Sequence, residues 1–322
     1  MRPLKRDIPD LTRSVGGVLF AVGAIVLLLR KSGHGEWSSF ARLLVVAIPA
    51  GALYVLALRA PSPPPDEGAR PWQTVLMVTS ILLGPIALFE LLDWVGASTR
   101  NILYVAGVFA LTGLLAAYAA RRTRVSYAAL LAALALLVSW LLVWGKILDH
   151  PSANTYRWLL VAGGAVLVVA STGLARAGAI GANEVATAGG VAAVAAGVLG
   201  VIVGSFFGVV RSITAVGERS GAHISSSPLA KSTSGLQHFG WDLYLLIVSV
   251  VLVWIGSRVR ARGPGYVGGI GLFAFAVSAG VQITRIESGK AATADIAGWP
   301  LALLIVGVAG LAAPALYPRT PH

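Results

Sequence analysis

Apolar and polar positions fall in long blocks along this chain, with no short alternation. Runs of Leu, Val, Ala, Ile and Phe that are nearly free of charge are separated by short polar connections from one end to the other. A bilayer core about 30 Å thick needs roughly 20 apolar residues in a helix rising about 1.5 Å per residue. About ten runs fit: residues 14–29, 39–58, 73–92, 101–120, 126–144, 157–175, 185–210, 240–257, 265–283 and 298–316, the first of them short. The pattern predicts an all-α, polytopic transmembrane helix bundle forming a single integral membrane domain over residues 1–322. Residues 211–238 are expected as the one substantial external loop. Their Ser225-Ser226-Ser227-Pro228 and Ser232-Thr233-Ser234-Gly235 segments have the composition of solvated chain. Pro61-Ser62-Pro63-Pro64-Pro65 between the second and third spans predicts a stiff, extended connector.

Composition strengthens the membrane reading. Hydrophobic residues make up 57% of the chain and charged residues 12%, where a soluble domain carries about 25% charged residues. No connection is long enough for a separate soluble domain. The chain has no cysteine, so disulfides and thiolate metal sites are excluded. The excess of 25 Lys and Arg over 13 Asp and Glu fits basic loops facing anionic lipid, and nucleic acid is not expected as a partner. The preference for Arg, Ala, Gly and Val over Lys points to a GC-rich bacterial genome, hence to the bacterial inner membrane. The basic segment Met1–Arg13 precedes an apolar run ending in Leu27-Leu28-Leu29-Arg30-Lys31, with no small-residue cleavage site. It is expected to lead into a retained first helix.

Charge then sets orientation. With ten spans both termini share one side. The compact clusters Arg2, Lys5, Arg6 and Arg13, then Arg121, Arg122 and Arg124, then Arg258, Arg260 and Arg262 all fall on it. The positive-inside rule makes that side cytoplasmic. Trp37, Trp94, Trp140, Trp144, Trp158, Trp241 and Trp299 map to the opposite, external face, and Trp72 and Trp254 to the inner one. Indole favours the interface because its ring is apolar and its N–H needs a partner.

Helices in lipid associate through close packing, which small residues permit. Gly200, Gly204 and Gly208 repeat every four residues on one face of the seventh span, extended by Gly197. The face is read as intramolecular packing, with a homodimer or membrane-protein seam as the alternative. Pro49 in the second span and Pro85 in the third predict kinks, because proline removes a backbone donor and clashes with the preceding turn. Discontinuous helices at mid-depth are one way in which carriers build a binding site.

Ionisable groups inside a bilayer are costly and mark sites by default. Glu90 and Asp93 lie three residues apart near the external end of the third span. Asp242 begins the eighth span beside Trp241, and Arg42 begins the second from the same side. Together they form a candidate external polar cluster. His34, His150, His223, His238 and His322 lack metal-ligand spacing. There is no phosphate-binding loop and no nucleophile elbow, so no cofactor or metal is expected.

The stretch from Phe239-Gly240-Trp241-Asp242-Leu243 to Arg262-Gly263-Pro264-Gly265-Tyr266-Val267-Gly268 resembles segments of uncharacterised multi-pass membrane proteins of high-GC actinobacteria. That resemblance implies a membrane location and no activity. Three functional readings follow. The first is a structural, regulatory or assembly protein of the cell membrane, because deep charges and catalytic motifs are lacking. The second is a carrier for a small neutral or lipidic solute, using the proline-bearing second and third spans. The third is a membrane-embedded enzyme using the external acidic cluster.

Overall fold

The computed structural model describes residues 7–32, 37–60, 69–98, 101–149, 151–199, 235–259 and 262–287. Among these the chain is all helix and turn. In order come α1 (Asp7–Ser32), α2 (Ser39–Arg59), α3 (Pro71–Trp94), α4 (Ile102–Thr123), α5 (Ser126–Ile147) and α6 (Ala153–Arg176). They are followed by α7 (Ala182–Leu199), α8 (Gly235–Val259) and α9 (Arg262–Glu287). The first eight are long and apolar enough to cross a membrane, whereas the apolar part of α9, Gly263–Ala276, is shorter. The described chain divides into a unit ending at Phe275 and a second beginning at Ala276, whose described residues 276–287 are helical.

Helix ends follow local chemistry. Ser38, Asn101 and Ser152 cap α2, α4 and α6, each accepting from a first-turn backbone N–H. Pro71 opens α3, where its missing N–H costs nothing. Arg124 closes α4 in the left-handed region at φ 58° and returns its N–H to the Ala120 carbonyl. The chain therefore reverses between α4 and α5 within two residues. Short turns of this kind make neighbouring helices antiparallel. The starts of α2, α4 and α6 and the ends of α3 and α5 thus share one end of the bundle.

The larger core cluster lies among α1 to α5 and reaches α7 at Val185 and Ala188, and a smaller one joins α5, α6 and α7 through Leu137, Leu160, Ala192 and Ala196. Val46, Leu53, Met77, Ile81 and Leu83 fill the larger one beside Ala116, Ala119, Ala128 and Ala132. Outward positions stay apolar, as at Leu19, Val169 and Phe273, which are 64%, 70% and 72% exposed. That is the surface of a protein solvated by lipid.

Hydrogen bonds and close backbones join the helices. Gln73 Nε2 donates to the Ala57 carbonyl at 3.0 Å and Ser80 Oγ to the Ala50 carbonyl at 2.7 Å, tying α3 to α2. Tyr54 donates to the Leu115 carbonyl at 2.9 Å, and Ser139 to the Ala106 carbonyl at 2.9 Å. A Cβ added at Gly164 of α6 would stand 2.9 Å from the Gly189 carbonyl oxygen of α7, and the reverse substitution gives the same 2.9 Å. At Gly268 of α9 it would stand 2.7 Å from the Ser249 carbonyl oxygen of α8.

Several expected boundaries move. α1 begins at Asp7, seven residues before the apolar run, because polar first turns extend a helix beyond its membrane core. α8 begins at Gly235, so residues 235–238 of the expected loop are helical. Residues 200–234, which hold Gly200, Gly204, Gly208 and most of that loop, and residues 298–316, the tenth expected span, lie outside the described residues. α2 and α3 run continuously through Pro49 and Pro85. The prolines leave both helices unbroken and remove one backbone donor from each.

Candidate functional site

The four residues expected in one polar cluster fall into two pairings. The first joins α2 to α3. Arg42, one turn into α2, reaches Asp93 with Nη2 at 2.5 Å and Glu90 with Nε at 3.6 Å. It also donates to Ser39 Oγ at 3.3 Å. Glu90 and Asp93 sit one turn apart on the last turns of α3, so a single guanidinium spans both carboxylates. The Glu90 side chain is 16% exposed and that of Asp93 51%. The inner carboxylate therefore depends more on the cation than the outer one does. Phe40 and Trp94 pack beside the group with ring centroids 5.5 Å apart.

The second pairing joins α6 to α8. Asp242 is 8% exposed, and its carboxylate acts electrostatically on Arg157, which is 7% exposed. The Arg157 guanidinium lies 5.1 Å from the ring centroid of Trp241. Trp241 in turn meets Trp158 at 5.5 Å and Tyr244 at 5.3 Å, edge to face. A buried cation thus has a carboxylate and an indole face, both of which offset its desolvation. Sequence reasoning missed Arg157. The available signal was its place inside Tyr156-Arg157-Trp158, one turn into α6, where an unpaired guanidinium would be costly.

The glycine expected on a packing face, Gly197, is buried against α8. A Cβ there would stand 2.9 Å from Leu245 Cβ. This part of the face is occupied within the chain.

Between α2, α3 and α4 lies a cavity of about 230 Å³. Its wall includes Gly51, Tyr54, Ser80, Ile81, Gly84 and Thr112. These residues lie near the middle of their helices, which places the cavity at mid-depth. Gly51 is exposed and an added Cβ there meets nothing within 4 Å, so the cavity opens sideways past it. At Gly84 an added Cβ would only touch Thr112, at 3.9 Å. Two absent side chains thus create the space. Pro85 adjoins it, and Pro49 lies on a neighbouring groove of about 430 Å³ between α1 and α2. The expected link between the prolines and a mid-depth site therefore takes the form of a side pocket beside intact helices.

Among the described residues no group of three or more His, Cys, Asp or Glu is placed to hold a metal ion. Comparison with protein-family models, with curated proteins and with solved structures finds no match to the chain. Fold and site together define a multi-pass helical membrane protein with a lateral, mid-depth apolar pocket.

Proposed function

We propose that this chain is a ten-span protein of the bacterial cytoplasmic membrane, with both termini inside, that binds and passes a small neutral or lipidic solute. The observation that carries this is the cavity between α2, α3 and α4. It lies at mid-depth, it opens towards lipid, and its lining carries no charged residue. A cavity lined this way admits uncharged molecules and rejects ions, whose desolvation is not repaid. The basic helix ends at Arg121, Arg122 and Arg124 support the assigned orientation.

The ion pairs at the tryptophan end support the carrier reading over the enzyme reading. Glu90 and Asp93 are committed to Arg42, and Asp242 stands with Arg157. Carboxylates committed to guanidinium groups in this way fasten helices together.

The natural absence of cysteine makes the test direct. Single Gly51→Cys and Ala87→Cys variants in sealed vesicles are treated with a small neutral maleimide, added from each side in turn. A carrier gives reaction at both positions from both sides, slowed by its solute. Silence from both sides defeats the carrier reading. It favours the structural or assembly role instead, whose signature is a co-purifying partner or a dimer weakened by Gly204→Leu.

A further inference from the structure

The hydrogen-bonding inventory of the α2–α4 cavity narrows what it holds. Three hydroxyls line it, and each has already placed its proton. Tyr54 donates to the Leu115 carbonyl at 2.9 Å, Ser80 to the Ala50 carbonyl at 2.7 Å and Thr112 to the Val108 carbonyl at 2.8 Å. Each hydroxyl oxygen keeps acceptor capacity and has no second proton. The same wall contains Ile81. In an α-helix its carbonyl would accept from the backbone N–H four residues later. That residue is Pro85, which has none. The wall of the cavity therefore supplies acceptors, while the protons of its three hydroxyls are already placed.

We propose that the α2–α4 cavity selects a small neutral apolar molecule bearing one hydrogen-bond donor, such as an alcohol, and that the Ile81 carbonyl freed by Pro85 receives it. This deepens the solute-carrier reading and rests on it. An ether or ester of the same shape brings only acceptors and leaves that carbonyl unpaired. An alkane fills the space and satisfies nothing. The volume, about 230 Å³, exceeds the roughly 150 Å³ of an apolar cavity that accepts benzene, so a molecule of octanol size is a fitting probe. Pro49 provides an internal control. It frees the Val45 carbonyl in the same way, but Val45 and Pro49 line the groove between α1 and α2.

The test is photolabelling of the full chain in nanodiscs with diazirine-bearing octanol, its methyl ether and the matching octane. Labelled peptides are then mapped by mass spectrometry. Saturable labelling of the α2–α4 walls is expected, with the alcohol preferred over the ether by roughly threefold, within the range of one neutral hydrogen bond. Pro85→Ala restores an N–H to the Ile81 carbonyl. It should abolish that preference while leaving octane labelling unchanged, and Pro49→Ala should leave the preference intact. Gly84→Leu and Gly51→Leu fill the cavity and should reduce labelling by all three probes. If neither does, the cavity is no solute site and the underlying reading fails. If they do, but alcohol and ether label equally in the parent chain or Pro85→Ala keeps the preference, the donor selectivity alone is overturned. Solvent extraction of the purified protein separates two sources of the same chemistry. A co-purifying hydroxylated lipid marks a bilayer resident, and its absence alongside saturable octanol labelling marks a free solute.

Discussion

Removing one member of the Arg157–Asp242 pair tests the reasoning most sharply. Both side chains are more than nine-tenths buried, and they belong to helices far apart in sequence. Arg157→Met keeps most of the aliphatic stem and deletes the charge on which Asp242 acts. Breaking a buried charge pairing costs up to about 3–5 kcal/mol. Asp242→Asn strands Arg157 less completely, because the guanidinium keeps the Trp241 face at 5.1 Å. A desolvated cation–π contact contributes about 2 kcal/mol, so this variant should lose about 1–3 kcal/mol. The double variant removes both charges and should be more stable than the sum of the single losses predicts, by about 1–3 kcal/mol.

The assay is reversible unfolding in mixed micelles, followed by tryptophan emission. Trp241 touches both Arg157 and Trp158, so its signal reports separation of α6 from α8. The informative quantity is the coupling within the four-member cycle, since absolute stabilities in detergent depend on the micelle. Single losses that add to within about 0.5 kcal/mol would show two independent residues. The pairing of α6 with α8 through these charges would then be wrong.

Three further outcomes follow from other contacts. Gly164→Leu or Gly189→Leu drives a side chain into the facing backbone carbonyl, 2.9 Å from the new Cβ, so yield of folded protein should fall at least several-fold while Gly173→Leu, in open space, expresses normally. Asp93→Asn should cost under about 1 kcal/mol because its side chain is 51% exposed, whereas Glu90→Gln, at 16% exposure, should cost more; equal losses would contradict the burial order. Ser139→Ala deletes the bond to the Ala106 carbonyl and should lower stability by about 0.6 kcal/mol, the mean for hydrogen bonds between membrane helices, a value that detergent-titration midpoints resolve.

The helices were legible because the membrane allows few alternatives. Without water every backbone amide must be satisfied within its own segment, so an uninterrupted apolar run becomes a helix. Pairing was not legible. Arg42, Glu90, Asp93 and Asp242 all map to one end by alternation, but alternation says nothing of lateral order within the bundle. Only the packing shows that α2 meets α3 while Asp242 of α8 stands with Arg157 of α6. The hydroxyls of Tyr54, Ser80 and Ser139 were silent in the sequence too. A lone serine in an apolar run looks alike whether it bonds its own turn, as Thr112 does, or a neighbouring helix, as Ser139 does.

The prolines show how a chain with so few deep charges can still discriminate. A lipid-facing hollow of hydrocarbon alone would be filled by acyl chains without preference, because lipid tails are as apolar as leucine. Selectivity needs a polar group that can be left unsatisfied by the wrong molecule. A charged side chain at mid-depth would serve only at a high cost. A backbone carbonyl released by proline is neutral, fixed by the helix and present without any ionisable residue. Pro85 supplies one beside a space that Gly51 and Gly84 keep open, and the neighbouring hydroxyls of Ser80 and Thr112 are held by other carbonyls, so neither moves to pair it. Space and acceptor are separable by substitution: leucine at Gly84 removes the space, and alanine at Pro85 removes the acceptor.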